Sequence, residues 1–568
     1  MLLRVLHGLK IAGLLTGLIV IFANDRLFAQ QIDIKSLITG GADIDIENDP
    51  DEMRRLQSAA MVKQKAGFGR WGHIKDKYST WVNHSNRLIP VYTFGVDMDA
   101  LRDEGSAYRD AASLKKIYGV VPEGTVNPDA AYYDQTDIYR LQLAAADAGY
   151  KNIIVMVFDG MDWQTTRAAA IYKNSAVQYE EGRGTGLAFQ DYAGVKTDFA
   201  LVGTSARLAD AKTDVNAQAV LSADEDSTGG YDVKLGGVNP WSERGEHDYL
   251  IGLDRERPHT VTDSASSATS LFSGIKTFNG SINFAVDGNK KVSVARRLQR
   301  DKGFHVGVVT SVPVSHATIG GAYANNVTRK DYQDIARDLL GQPSSSHRRD
   351  PLPGLDVLIG GGWGEEKEQD SYQGDNYLAG NPYLHAEDIK RSDVENGGRY
   401  VIAQRSKGKS GSETLLSAAK SAAQKDQRLL GFYGVGGGHL PFQTADGGFN
   451  PTVDAQGTEV YTPADVSENP TLADMTEAAL TVLEKSDKGF WLLVEAGDVD
   501  WANHANNIDN SIGAVLSGEA AFKKIVNWVE TNNAWNETAL IVTADHGHYL
   551  VLQELQEIAN AKSAAVAD

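Results

Sequence analysis

Six stretches of the chain share one form, a short apolar run that ends in polar or glycine residues. They are KNIIVMVFDG at 151–160, HVGVVTS at 305–311, DVLIGGG at 356–362, RLLGFYG at 428–434, FWLLVEAGD at 490–498 and TALIVTADHG at 538–547. Unbroken rather than alternating apolarity fits strands buried on both faces. Helical stretches lie between them, among them LADMTEAALTVLEKS at 472–486 and GEAAFKKIVNWVETN at 518–532. Strands alternating with helices predict an α/β fold, with a doubly wound, mostly parallel central sheet and helices on both faces. The segments 205–258, 343–354, 363–412 and 435–470 are rich in Gly, Asp, Ser and Asn and read as long loop insertions on that sheet.

Composition narrows the chemistry. The chain has no cysteine, which removes thiolate zinc sites, iron–sulfur clusters, disulfides and cysteine nucleophiles. With 55 Lys and Arg against 75 Asp and Glu, the net charge of −20 argues against a nucleic-acid partner. It leaves room for an anionic small substrate, because a bound cation reverses the local field.

Arg4 and Lys10, the run IAGLLTGLIVIFA at 11–23 and the following LFAQQ have the form of a secretory signal peptide, with cleavage expected after Ala29. The run is short of the roughly 20 residues a spanning helix needs, so an exported protein without stable membrane insertion is expected, periplasmic or extracellular. Three regions follow: a signal peptide over 1–29, an N-terminal extension over 30–145 with no chemical motif, and a catalytic domain over 146–568. The loop DEDSTGG at 224–230 lacks EF-hand spacing and reads as a solvated acidic loop.

In a doubly wound sheet, function gathers at the carboxyl ends of the strands. Asp159 closes one run; Glu495 ends another, with Asp498, Asp500 and His504 just beyond. Asp545 and His546 close the last, followed by His548, and the turn after HVGVVTS carries His316 and Thr318. Polar groups ending buried strands at four places are expensive unless a cation collects them. Oxygen and imidazole donors without sulfur suit Zn²⁺ and Mg²⁺ in a catalytic rather than a structural setting. The segment PHTVTDSASSATSLFSGIKTFNG at 258–280 reads as a loop turning into a helix, with Ser264 near its amino end, where backbone N–H groups favour a phosphate. Read locally, a serine N-cap on a small-residue helix explains the same letters. There is no G-x-S-x-G elbow and no Walker A loop.

The ordered motifs FDGM at 158–161, TDSASSAT at 262–269, HAT at 316–318, VTRK at 327–330, VEAGDVDWANH at 494–504 and TADHGH at 543–548 resemble the alkaline phosphatases over roughly 147–550. The resemblance implies hydrolysis of small phosphate monoesters through a phosphoserine on Ser264, with two zinc ions and one magnesium ion. It implies that Asp263 positions Arg329, which clamps the phosphate. Asp159, Asp545, His546 and Ser264 match one zinc site, and Asp500 and His504 match two of the three ligands of the other. Asp159, His316, Thr318 and Glu495 match the magnesium site, and His548 matches a histidine that supports Asp500. Family members are often dimers, so a homodimer is implied.

Two departures stand out. The family takes its remaining zinc ligand from a histidine well after the ADH motif, whereas here no histidine follows His548. The sequence therefore reads as lacking the C-terminal part of the family pattern, with His439 in GVGGGHLPF as a remote substitute. Trp501 follows Asp500 where some bacterial members carry a cation that assists phosphate binding. An incomplete zinc site makes a metal- and phosphate-binding protein with little turnover an alternative. A related phosphodiesterase is another, although diesterases usually carry threonine in place of Ser264 and lack the acids of the third metal site.

Overall fold

The computed structural model describes residues 46–101, 105–205, 212–222, 229–242, 246–254 and 259–565. The expected signal peptide and most of the 224–230 loop lie outside them. Among the described residues, no helix is long and apolar enough to cross a membrane.

The core is a ten-stranded sheet. From one edge its order is Tyr400–Gln404, Arg428–Phe432, Val357–Gly361, His305–Pro313, Phe490–Ala496, Asn152–Phe158, Thr538–Ala544, Ile89–Phe94, Lys196–Leu201 and Tyr133–Asp134. The first seven strands run parallel. Ile89–Phe94 is antiparallel to both of its neighbours. All six apolar runs of the sequence lie in this sheet, and the three central strands are buried at every residue. Successive strand residues face opposite ways, so complete burial requires cover on both sides.

That cover comes from two groups of helices. Leu472–Leu483 packs against Gly411–Gln424 and Ile508–Thr531, while Ser264–Ser273 packs against Ala317–Tyr323 and Gln135–Asp147. The α/β, mostly parallel architecture is therefore as the sequence predicts. The Ile508–Thr531 helix starts ten residues before the expected 518, because Asn507 caps it by accepting from the Asn510 N–H and glycines let it lie close. A Cβ at Gly518 would sit 2.2 Å from the Phe158 ring.

Two expectations about loops and the N-terminal extension change. The stretch 363–412, read as an insertion, contains the edge strand Tyr400–Gln404. This strand, YVIAQ, is only five residues long and lies in a stretch rich in glycine and polar residues, which hides its short apolar run. The extension, for which no role was legible, supplies Ile89–Phe94 to the sheet interior. It also supplies Gly69–Trp71, paired antiparallel with Leu550–Leu552. Pro90 makes the run IPVYTF a poor candidate for an interior strand on sequence alone.

Because Val91 is 1% exposed and paired with Thr543 and Asp198, Val91→Asp is expected to destabilise the fold by at least about 3 kcal/mol. Val120→Asp, at an exposed site, is expected to change stability by less than about 0.5 kcal/mol. Urea unfolding of the two variants checks whether the extension is built into the fold.

Candidate metal and phosphate site

The register of the central strands places the site. Phe158 lies opposite Ala496 on one side and Ala544 on the other, so Asp159 and Asp545 leave adjacent parallel strands at the same level. Gly160, with φ of +72°, turns the chain sharply and donates its N–H to Asp545 Oδ1 at 2.9 Å. His546 follows at once, with its Nε2 3.4 Å from Asp159 Oδ1 and 3.3 Å from Asp545 Oδ2. Ser264 Oγ lies 3.3 Å from the same nitrogen. These groups are all buried.

Ser264 is held by local chemistry. Asp263 caps the Ser264–Ser273 helix, its Oδ1 accepting from the Ser266 N–H at 2.9 Å. Its Oδ2 accepts from Arg329 Nη1 and from the Gly280 N–H, both at 3.0 Å. One carboxylate thus sets both the helix start and the guanidinium beside it. Burial pushes the Asp263 carboxyl up, but Arg329 and these N–H donors outweigh it and hold it below the usual range.

The second cluster is built on the Asp498–His504 helix. Asp500 and His504 stand one turn apart, with His504 Nε2 3.5 Å from Asp500 Oδ1. His548 Nε2 lies 2.5 Å from the same oxygen. The sequence reading lacked a third histidine here, and the structure supplies one from the N-terminal extension. His84 Nε2 is 3.6 Å from Asp500 Oδ1 and 3.1 Å from His504 Nε2. Its ring stacks on His546 with centroids 3.7 Å apart. His439, the remote substitute considered above, instead pairs with Glu459 at 2.9 Å and stacks on Phe442.

The strap carrying His84 is fastened to the segments it serves. Ser85 exchanges backbone hydrogen bonds with Gly547, and its Oγ accepts from the Tyr549 N–H. The Thr262 N–H donates to Asn86 Oδ1. A cue for His84 existed only in a histidine between two apolar stretches, which is too common to single out.

The donor atoms can be tested for a cation without one being present. His84 Nδ1 faces the Thr262 carbonyl and His504 Nδ1 faces the Val82 carbonyl. If both nitrogens donate, two Nε2 lone pairs face each other at 3.1 Å, an arrangement that a shared cation explains. In the first cluster, Asp159 Oδ1 and Asp545 Oδ2 are buried without a hydrogen-bond donor. His84, Asp500, His504 and His548 present ligand atoms within 4.8 Å of one another, as do Asp159, Asp545 and His546. Both sets fit a divalent metal.

The acids beyond these clusters are arranged differently. Glu495 Oε2 accepts from Thr310 Oγ1 at 2.5 Å, and Asp159 Oδ2 accepts from Thr318 Oγ1 at 3.4 Å. Thr310 escaped the sequence reading because a threonine inside a strand carries no motif. Glu495 Oε1 has no hydrogen-bond partner, so this all-oxygen corner also has room for a hard cation. His316 is not brought into either metal-type cluster; its Nε2 lies 3.3 Å from Arg329 Nη2. Burial, then Arg329, push its pKa down to about 3. A neutral imidazole can therefore accept a hydrogen bond from Arg329 without opposing its charge.

A cavity of about 510 Å³ opens beside this centre, lined by His504, Trp501, Phe442, His439, Asp454 and Glu459 among others. Trp501 also meets His316 edge to face, so the indole separates the Arg329 side of the site from the cavity.

The crowding of carboxylates sets a pH dependence. Burial first, and then the neighbouring acid Asp500, push Asp545 up to about 6. Burial and Asp545 likewise raise Glu495 to about 7. Asp159 is raised by burial and by Asp545, Asp500 and Glu495. Burial also opposes ionisation of Asp500, but His504, His548 and His84 outweigh it, and its carboxyl is depressed. The raised groups bind protons more tightly folded than unfolded. They therefore favour the metal-free fold at low pH, and this contribution is lost as pH rises through about 6 to 7. A divalent cation reverses this by favouring the ionised forms. Zinc uptake is expected to release about one proton or more at pH 6 and clearly fewer at pH 8, as read by calorimetry in buffers of different ionisation enthalpy.

A sequence model described as alkaline phosphatase matches residues 240–563, more than half of the chain. Alkaline phosphatase H of Pseudomonas aeruginosa is 30% identical over 309 residues, covering 53% of this chain and 60% of its own length. Alkaline phosphatase 4 of Bacillus subtilis is 28% identical over 303 residues, 52% of each chain. The chain thus spans about half to three-fifths of the length of these curated relatives. Among solved structures, a cold-active alkaline phosphatase from Shewanella sp. aligns with a TM-score of 0.41 at 22% identity, covering 70% of this chain and 68% of that one. Asp159 and His84 both precede the matched span.

Proposed function

Because the chain belongs to the alkaline phosphatase family, we propose that it hydrolyses phosphate monoesters at Ser264, between the two clusters. The observation that carries this reading is the approach of Ser264 Oγ to His546 Nε2, which itself lies between Asp159 and Asp545. The Ser264 oxygen bonds to phosphorus as the ester P–O bond breaks, and the alcohol departs with a proton. Water then attacks the phosphoserine, freeing inorganic phosphate and restoring the hydroxyl.

Each side chain has a task in this reading. Arg329 is tied to Asp263 through Nη1 and faces His316 through Nη2, and its remaining N–H groups would hold nonbridging phosphoryl oxygens. The amino end of the Ser264–Ser273 helix adds N–H donors to the same anion. Asp159, Asp545, His546 and Ser264 would hold one zinc ion, and Asp500, His504 and His84 the other, with His548 bracing Asp500. Asp159, Glu495, Thr318 and His316, joined by Thr310, would hold magnesium; His316 Nε2 faces Arg329 while its Nδ1 is buried without a partner. When bound, these cations supply the positive charge that makes a serine oxygen nucleophilic and a departing alkoxide stable. The alternative of a binding protein without turnover rested on an incomplete first set, and the approach of His84 to Asp500 and His504 supports the catalytic reading over it. The leaving group would point past His504 into the cavity walled by Trp501 and Phe442. Export to the periplasm or the outside remains part of the proposal.

Ser264→Ala is expected to lower kcat for 4-nitrophenyl phosphate by about 10³-fold or more and to abolish the phosphorylated chain trapped by acid quench. Undiminished hydrolysis would exclude the nucleophile. His84→Ala is expected to weaken one zinc site by more than about tenfold and leave the other in place, read by metal titration. Phe442→Ala is expected to raise KM for aryl phosphates several-fold while leaving kcat/KM for glycerol phosphate little changed.

A further inference from the structure

Beside Arg87 and Leu88, just after the His84 strap, lies a second, smaller cavity of about 160 Å³. Arg70, Lys75, Arg87, Ser242, His247 and Tyr549 line it. No acid lines it among the described residues, in a chain whose net charge is −20. The volume is well above the roughly 10–15 Å³ of probe-centre space one water needs.

Arg70 is the decisive residue. It is 3% exposed, and neither its Nε nor its Nη1 has a hydrogen-bond partner. Buried donors are nearly always satisfied, and a buried guanidinium cannot shed its charge to escape the problem. Its backbone is fixed opposite Val551 in the Gly69–Trp71 pairing, so the side chain is presented from a rigid element. Ser242 Oγ, at the same cavity, is also buried without a partner. Of the other cations, Arg87 is partly neutralised by Asp162 at 3.7 Å and donates to the Leu550 carbonyl. His247 is engaged by the Tyr549 hydroxyl. The acids Glu246 and Asp248 influence His247 but are not part of the lining.

We propose that this cavity is a binding site for a small tetrahedral oxyanion, phosphate or sulfate in kind, separate from the Ser264 centre. The Arg70 guanidinium donates to its oxygens, the Ser242 hydroxyl donates to another, and Lys75 closes the mouth from the solvent side. The enclosed volume selects a free ion or the phosphoryl end of a slim molecule over a bulky ester. The site shares its wall with the active centre, since Tyr549 follows His548 and Arg87 lies three residues after His84. The proposal does not depend on turnover at Ser264.

Calorimetric titration of the full chain with inorganic phosphate separates the two sites. Two classes are expected, one lost in Arg329→Ala and the other in Arg70→Met. Lys75→Glu, an exposed change that leaves the fold alone, is expected to weaken the Arg70-dependent class about tenfold. In phosphate-free buffer Arg70→Met is expected to melt no lower than the parent, because it removes an unpartnered buried charge. Its Tm is also expected to lose the rise that sulfate gives the parent. Methylphosphonate binding as tightly as phosphate would identify the phosphoryl end of a larger molecule as an acceptable ligand, and its exclusion would identify the free ion. Retention of both phosphate classes in Arg70→Met and in Lys75→Glu would overturn the proposal. So would a single class that vanishes with Arg329→Ala.

Discussion

Asp159 and Asp545 are neighbours because Phe158 and Ala544 are register partners on adjacent parallel strands. A slip of one residue would send one of these carboxylates to the opposite side of the sheet. Everything else in the centre is referred to that pair. His546 takes its position from Asp545, Gly160 ties the first strand end to the second, and Ser264 reaches the same imidazole from its helix. The sheet interior is buried at every residue around this point, so the register is enforced by the full apolar content of three strands.

The centre is assembled from parts far apart in the chain. His84 arrives from a segment before the first central strand, yet it meets Asp500 and His504 more than four hundred residues later. The strap reaches them because Ile89–Phe94, just beyond it, is locked antiparallel beside Thr538–Ala544. Val82 contributes from the same strap by orienting His504. One short segment therefore supplies both a ligand-type nitrogen and the group that aims another.

Stability and function pull against each other at this site. Burial raises the pKa values of Asp159, Glu495 and Asp545, the Asp545 charge adds to the rise at the other two, and Asp500 adds to it at Asp545 and Asp159. Arg329 is already engaged by Asp263, and the histidines of the centre are driven toward neutrality by burial. The centre holds more negative charge than its own cations balance, which is the condition under which a buried site binds divalent ions instead of merely tolerating them. The cavity at Arg70 is the converse case, a buried cation whose lining holds no acid among the described residues.

Much of this was legible beforehand. Buried strands announce themselves by unbroken apolar runs, and the acids and histidines that end them stand out because such positions seldom carry charge. That logic located Asp159, Glu495, Asp500, His504, Asp545 and His546, along with the parallel sheet. Ile89–Phe94 stayed hidden because its proline does not look like an interior strand, and Tyr400–Gln404 because its short apolar run lies within a long stretch rich in glycine and polar residues. His84, Thr310 and the turn of His316 toward Arg329 were decided only in three dimensions. Local sequence sets what a segment can bury and how it starts a helix; which distant segments share one ion-sized space depends on strand order and register, and those are settled by packing across the whole sheet.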